Sequence, residues 1–154
     1  MTPLGIYIHI PFCLSKCAYC DFYPRCGGKR DYKEYTRAVC AHIAEANSKA
    51  SEYVCDSIYF GGGTPTAIGA KNLIKILSAV SKNFKVSDDC EITCEANPNS
   101  VDFKSLRKLR RAGFNRISFG MQSANEKELK TLGRTHSVED VTEAVDAARQ
   151  VRGF

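Results

Sequence analysis

With 154 residues, 44% of them hydrophobic, and no low-complexity tract, the chain has the length of one globular domain burying roughly 70% of its unfolded surface. Its 22 Lys+Arg against 17 Asp+Glu make it only mildly basic, and no aromatic interleaving marks a nucleic-acid surface. No apolar run approaches the roughly 18 residues of a transmembrane segment, and Met1-Thr2-Pro3 offers no basic signal-peptide head, so a cytoplasmic location is expected.

Strand and helix patterns then alternate along the chain, which predicts parallel strands joined by crossover helices. The first strand is Gly5-Ile6-Tyr7-Ile8-His9-Ile10, and directly after it stand Cys13, Cys17 and Cys20, spaced C-x3-C-x2-C. Three thiolates on one short loop can hold three irons of a four-iron cluster and leave the fourth open to another ligand. In a reducing compartment, eight cysteines are poorly explained as a disulfide framework, and clustered ones read as metal ligands or redox groups. Zinc on Cys13, Cys17, Cys20 and Cys26 is the competing arrangement, since zinc favours four N/S ligands. Gly27-Gly28-Lys29-Arg30 reads as a plain turn.

A helix is predicted from Asp31, with Glu34 three residues on and Tyr32, Tyr35, Val39, His42, Ile43 and Ala46 on one face. His42 on that stripe reads as a packing residue. A second strand, about 54–60, runs into Gly61-Gly62-Gly63-Thr64-Pro65, and a helix follows with Leu73, Ile74, Ile76, Leu77 and Val80 at helical spacing. The glycine run is a plain turn or a place where a ligand meets bare main chain, and it lacks the Gly-Lys-Ser/Thr of a phosphate loop.

The third strand, 91–95, precedes a helix from about Val101 with Phe103, Leu106 and Leu109 facing inward and Gly113 as its C-terminal cap. Lys104, Arg107, Lys108, Arg110, Arg111 and Arg116 read as a solvated helix face. The fourth strand, 116–122, leads to a helical turn near Glu126 to Leu132. Ser137-Val138-Glu139-Asp140 then resembles a capping box for a helix carrying Val141, Val145, Ala148 and Val151, capped by Gly153. Cys40, Cys55, Cys90 and Cys94 lie singly and are expected as small buried hydrophobes. The pattern calls for a fifth strand after Phe154. An N-terminal fragment is therefore expected, its fourth strand an unpaired edge, with marginal stability and an aggregation risk.

Strand parity sorts the polar residues. Glu91, Thr93 and Glu95 point one way while Ile92 and Cys94 point the other; Arg116, Ser118, Gly120 and Gln122 oppose Ile117, Phe119 and Met121. A buried parallel sheet is normally apolar on both faces, so a polar face suggests a ligand-bearing lumen. Glu95, Gln122, the glycine run and the cysteine loop all follow C-terminal strand ends, the rim where such sheets build their sites.

These residues resemble the radical S-adenosylmethionine superfamily, and within it the oxygen-independent coproporphyrinogen III oxidase-like branch. The resemblance runs through Tyr7-Ile8-His9-Ile10-Pro11-Phe12-Cys13, Cys17, Cys20, Gly61-Gly62-Gly63-Thr64-Pro65, Glu95-Ala96-Asn97-Pro98, Asn115-Arg116-Ile117-Ser118-Phe119-Gly120-Met121-Gln122-Ser123 and Leu132-Gly133-Arg134-Thr135-His136. It implies a single radical-SAM core domain over 1–154, incomplete at its C-terminus, built as a partial (β/α) barrel with about four parallel strands. It further implies a [4Fe-4S] cluster on Cys13, Cys17 and Cys20 with S-adenosyl-L-methionine at the open iron. The cofactor contacts it implies are Tyr7, Tyr19, Gly62, Gly63, Thr64, Glu95, Gln122 and Arg134.

In that superfamily, one-electron reduction of the cluster cleaves the cofactor to a 5′-deoxyadenosyl radical. Oxidases of the branch carry a further cysteine two residues past the motif, where this chain has Phe22. Cys20-Asp21-Phe22 instead resembles the HemW-type heme chaperones. That likeness implies heme or porphyrin, heme-acceptor proteins and an electron donor as partners; the alternative is oxidative decarboxylation of coproporphyrinogen III. Taken alone, Glu95 would be a strand-end carboxylate capping the next helix and Arg134 a surface arginine.

Overall fold

The computed structural model describes residues 2–154, without the side chain of Lys49. Strands β1 (Thr2–Ile10), β2 (Tyr53–Gly62), β3 (Val86–Ala96) and β4 (Arg116–Phe119) form one parallel sheet in the order β1-β2-β3-β4. Parallel neighbours need a crossover, and helices α1 (Lys29–Ala46), α2 (Ala70–Asn83) and α3 (Phe103–Ala112) supply one between each pair. A short helix α4 (Glu126–Thr131) and a last helix α5 (Val138–Val151) follow. Helix α1 packs on α2, α2 on α3 and α3 on α5, so the helix layer keeps the order of the strands. The α/β architecture with four parallel strands is as the alternating pattern predicts.

Period-2 alternation decides which side of the sheet the helices cover. Ile8, Ile10, Ile58, Phe60, Ile92 and Cys94 point into the core, where they meet Leu73, Ile76, Leu77 and Val80 of α2 and Leu109 and Phe114 around the end of α3. Phe60 and Phe114 are fully buried and meet with ring centroids 5.1 Å apart. Burying side chains of this size stabilises by about 1.5–3 kcal/mol each. The intervening residues Tyr7, His9, Tyr59, Thr93, Glu95, Arg116 and Ser118 share the opposite, inner face, aligned by the register Tyr7↔Tyr59↔Thr93↔Arg116 and Glu95↔Ser118.

Several boundaries differ from expectation. Helix α1 starts at Lys29, because the Asp31 carboxylate accepts the Gly28 N–H at 2.7 Å and so caps the helix from its third position. The glycine pair is thus the cap as well as the turn. Strand β3 begins at Val86, not near residue 91, since Cys55 N–H donates to Lys85 O at 2.8 Å and the β2–β3 register slips between Cys55 and Ser57.

Strand β4 stops at Phe119. Gly120 N–H still donates to Ala96 O at 3.0 Å, but Met121 N–H turns back to Phe119 O at 3.0 Å and Ser123 N–H to Met121 O at 2.8 Å. These i→i−2 bonds curl the chain out of the sheet, so Gln122 (φ 66) reaches its place through a left-handed turn, not through strand parity.

On α3, Asp102 caps the N-terminus and Gly113 (φ 116) takes the left-handed C-terminal position, while Phe103 is exposed beneath Arg107 instead of facing inward. Arg116 leaves the solvated helix face assigned to it; on the inner face it lies 3.4 Å from Glu91 and 3.3 Å from Thr93 Oγ1. The capping box at Ser137 forms, Asp140 N–H donating to Ser137 Oγ at 3.1 Å. At the far end of α5, Arg152 (φ 58) precedes Gly153 (φ 90) in leaving right-handed space. His42 is exposed, and Cys40 is half-buried, whereas Cys55, Cys90 and Cys94 are buried.

Candidate functional site

The cysteine loop is fixed at base and tip by backbone bonds. Arg25 N–H donates to Pro11 O at 2.7 Å and Cys13 N–H to Arg25 O at 3.2 Å, closing the base; Ala18 N–H donates to Leu132 O at 3.0 Å, tying the tip to the end of α4. Inside the loop, Cys20 N–H donates to Cys17 O at 3.2 Å, a tight turn that brings the last two thiols to one side.

Cys13, Cys17 and Cys20 line one cavity of about 390 Å³. Its other walls come from strand ends: Gly62, Gly63 and Thr64 at the end of β2, Glu95 and Asn97 at the end of β3, Ser118, Gly120 and Gln122 at the end of β4, with Tyr19, Phe22 and Arg134 closing it. All the cluster and cofactor residues that the resemblance implies line this cavity except Tyr7. Tyr7 lies one step away on the inner face, 56% exposed, sharing a hydrogen bond with His9 Nδ1 at 3.0 Å and stacked on Tyr59. Burial, with the nearby Glu95 charge, raises the Tyr7 phenol above its ordinary value.

The glycine run works differently from a bare ligand cradle. A Cβ on Gly63 would lie 2.7 Å from Phe12 O and 2.9 Å from Cys13 Sγ, so this glycine lets the strand end approach the cysteine loop. The Gly63 and Thr64 N–H groups are spent there too, on Ile10 O at 2.8 Å and Phe12 O at 2.7 Å. Gly62 sits at φ 109, a conformation open to glycine at little cost.

Arg134 is the most constrained side chain of the cavity. Its Nη1 donates to Cys17 Sγ at 3.2 Å, and its Nη2 donates to Asn97 Oδ1 at 2.6 Å and Gly120 O at 3.0 Å. Nε is buried without a partner. An unpaired buried donor costs about 1–3 kcal/mol, a cost that an acceptor reaching Nε would relieve. Cys13 and Tyr19 are both raised above their ordinary values, first by burial. On the inner wall, Tyr59 Oη donates to Glu95 Oε1 at 2.7 Å, and this bond is the main reason the Tyr59 phenol is pushed up to about 12.

Asn97 and Tyr59 are the site residues that sequence reasoning missed. Asn97 stood inside the Glu95-Ala96-Asn97-Pro98 stretch, and Tyr59 had the parity to face Glu95 once the parallel register is known.

Among the described residues no three His, Cys, Asp or Glu side chains converge as they would on a single metal ion. Cys26 is exposed and lines a separate groove with Phe12, Asp31 and Glu34, so the four-cysteine zinc arrangement is not assembled. Three thiols, a guanidinium donating to one of them and an orphaned donor fit a thiolate-held cluster with an acceptor-bearing ligand beside it.

Comparison with known proteins places this geometry. The chain is 33% identical over 152 residues to the heme chaperone HemW of Buchnera aphidicola subsp. Schizaphis graminum, covering 98% of this chain and 40% of that protein. It is 36% identical over 149 residues to the heme chaperone HemW of Escherichia coli, covering 96% and 39%, and 38% identical over 138 residues to that of Mycobacterium tuberculosis strain H37Rv, covering 88% and 35%. The chain thus spans about two-fifths or less of the length of these curated relatives.

Among solved structures, coproporphyrinogen III oxidase (HemN) from Escherichia coli superposes with a TM-score of 0.91 at 27% identity, over 99% of this chain and 36% of that one. Native anSMEcpe with bound AdoMet and Cp18Cys peptide shares the fold, with a TM-score of 0.65 at 19% identity over 97% and 40%. The model of the Radical SAM superfamily matches residues 7–153, a span that includes every element contributing to the cavity. The chain belongs to the radical SAM superfamily.

Proposed function

We propose that this chain holds a [4Fe-4S] cluster on Cys13, Cys17 and Cys20, binds S-adenosyl-L-methionine beside it, and takes part in heme handling of the kind for which its relatives are named. The observation that carries the reading is the meeting of three thiols from one loop with Arg134, whose guanidinium donates to Cys17 Sγ while Nε lacks an acceptor. When bound, the cluster and its sulfonium partner supply one-electron chemistry, and the protein's share is binding and orientation.

Each wall of the cavity has a task in this reading. Glu95 accepts hydrogen bonds from hydroxyl or ammonium groups, held in place by Tyr59. Arg134 offers Nε to an acceptor oxygen; both Nη1 and Nη2 already serve protein acceptors, so a bidentate carboxylate fork is not its geometry. Gly62, Gly63 and Thr64 keep the cysteine loop close, and Tyr19 and Gln122 flank the opening. Tyr7 acts from the inner face through the Tyr59–Glu95 pair.

Heme or porphyrin, a heme-acceptor protein and an electron donor are the partners of this function. No helix of the described chain is long and apolar enough to cross a membrane, which is compatible with work in the cytoplasm. Phe22 lines the cavity at the position where the oxidases of the branch carry a further cysteine, and this favours the chaperone. The second reading, oxidative decarboxylation of coproporphyrinogen III, rests on the TM-score of 0.91 to the oxidase structure.

The test uses anaerobically reconstituted protein. Calorimetric binding of S-adenosyl-L-methionine that Arg134→Leu weakens at least tenfold supports the cavity assignment, and a heme titration that develops a shifted Soret band supports heme handling. No cofactor binding by cluster-loaded protein contradicts the first assignment; turnover of coproporphyrinogen III without heme binding moves the function to the second reading.

A further inference from the structure

A continuous set of side-chain hydrogen bonds joins two of the three cysteines. Arg134 Nη1 donates to Cys17 Sγ at 3.2 Å and Nη2 to Asn97 Oδ1 at 2.6 Å. Asn97 Nδ2 donates to Thr64 Oγ1 at 3.4 Å, and the Thr64 hydroxyl donates to Cys13 Sγ at 3.7 Å. The donor and acceptor chemistry fixes the direction as far as Thr64, and a thiolate at Cys13, which can only accept, fixes the last link. Arginine has no acceptor, so Asn97 must turn its carbonyl to Arg134 and its amino group to Thr64; the hydroxyl, having accepted, turns its proton to sulfur. Both ends of the path therefore deliver a hydrogen to a thiol sulfur.

We infer that Asn97 is a positioning residue, the amide that carries the positive charge of Arg134, which bears directly on Cys17, across to Cys13 as well and so raises the reduction potential of the cluster they hold. The inference rests on the cluster reading above.

Three observations make Asn97 suited to the part. Its backbone is clamped: the Asn97 carbonyl accepts from Ser100 N at 3.0 Å and from Ser100 Oγ at 2.6 Å, and Ser100 Oγ in turn lies 2.6 Å from Thr66 Oγ1. Thr64 is only 4% exposed, so its hydroxyl has little access to competing water. Arg134 is fixed from a second side by Gly120 O at 3.0 Å. A guanidinium polarises the amide it touches, the amide becomes a better donor to the hydroxyl, and the hydroxyl a better donor to sulfur. Hydrogen bonds to cluster sulfurs stabilise the more negative, reduced state and are a recognised determinant of the potential.

The test is a potentiometric titration, followed by electron paramagnetic resonance, of anaerobically reconstituted protein without added S-adenosyl-L-methionine. Asn97→Leu, which removes both arms of the amide, and Thr64→Val, which keeps shape and removes only the hydroxyl, are each expected to lower the equilibrium constant for one-electron reduction roughly tenfold, about 59 mV in a one-electron couple. Thr64→Ser restores the hydroxyl and is expected to return the potential to the wild-type value, a rescue that a purely structural role would not produce.

Wild-type potentials in both Asn97→Leu and Thr64→Val, with the four-iron signal intact, overturn the relay and leave the cluster reading standing. Should Asn97→Leu fail to fold, the shape-conserving Thr64→Val alone decides. A wild-type protein that assembles no four-iron cluster overturns the cluster reading, and the relay with it.

Discussion

On the helix side of the sheet, Ile8, Phe60, Ile92 and Cys94 are buried in the core; on the other side, Tyr7, Tyr59, Thr93 and Glu95 alternate with them along the same strands and carry hydrogen bonds instead. Stability is concentrated on the first side because apolar burial scales with area, whereas a hydrogen bond nets only about 1 kcal/mol against water. The difference teaches that the inner face can be spent on ligands at modest cost to the fold. The cysteine loop sits between the two, bonded to backbone like structure yet lined up with the polar face.

The comparison breaks most visibly on the helix side. Phe60→Ala should cost about 3–5 kcal/mol, measured by urea unfolding, because Phe60 is 0% exposed and packs on Phe114; a loss below about 1 kcal/mol would move the core elsewhere. Next comes the seam. Gly63→Ala should destabilise by about 1–3 kcal/mol and also lower iron uptake, since the new methyl would stand 2.9 Å from Cys13 Sγ. Full iron uptake by that variant would show that the loop tolerates displacement.

The inner face should respond less. Tyr59→Phe is expected to change stability at neutral pH by about 1 kcal/mol or less by the same measurement. The pH dependence has a definite sign. A phenol whose folded value lies above its ordinary 10, at about 12, favours the folded state fully below pH 10 and loses that contribution as pH rises toward 12. An ultraviolet titration should therefore show a late phenolate contribution that Tyr59→Phe removes and Glu95→Gln shifts down; an unchanged curve in both would contradict the Tyr59–Glu95 bond. The smallest effect belongs to the solvent surface. Glu34→Gln, which breaks an exposed i,i+4 pair with Arg30, should cost about 0.3–0.5 kcal/mol and vanish in high salt.

Much of this was legible in residue order because periodicity is a local property. The alternation of Glu91, Thr93 and Glu95 with Ile92 and Cys94 assigned two faces to β3 without knowledge of its neighbours, and the cysteine spacing put three thiols on one loop, where they line one cavity. What was illegible depends on contacts between distant segments. Asn97 gains its role from Arg134 and Thr64, each more than thirty residues away. The end of β4 at Phe119 follows from successive i→i−2 bonds at Met121 and Ser123, and no proline marks that turn. The glycine run reads as a plain turn or a place for a ligand, yet the close neighbours of Gly63 are Phe12 O and Cys13 Sγ, a packing constraint that only the strand order reveals. Phe103 had helical spacing to face the core, but its place on α3 directs it to solvent under Arg107.

The central claim, a four-iron cluster on three thiols, is tested most directly by iron and sulfide analysis, with visible and electron paramagnetic resonance spectra, of the anaerobically reconstituted wild type beside Cys17→Ala. The account predicts about four irons and four sulfides per chain in the wild type, and loss of the four-iron signal in the variant. A featureless spectrum with one tightly bound zinc, or a full cluster retained by Cys17→Ala, would contradict it.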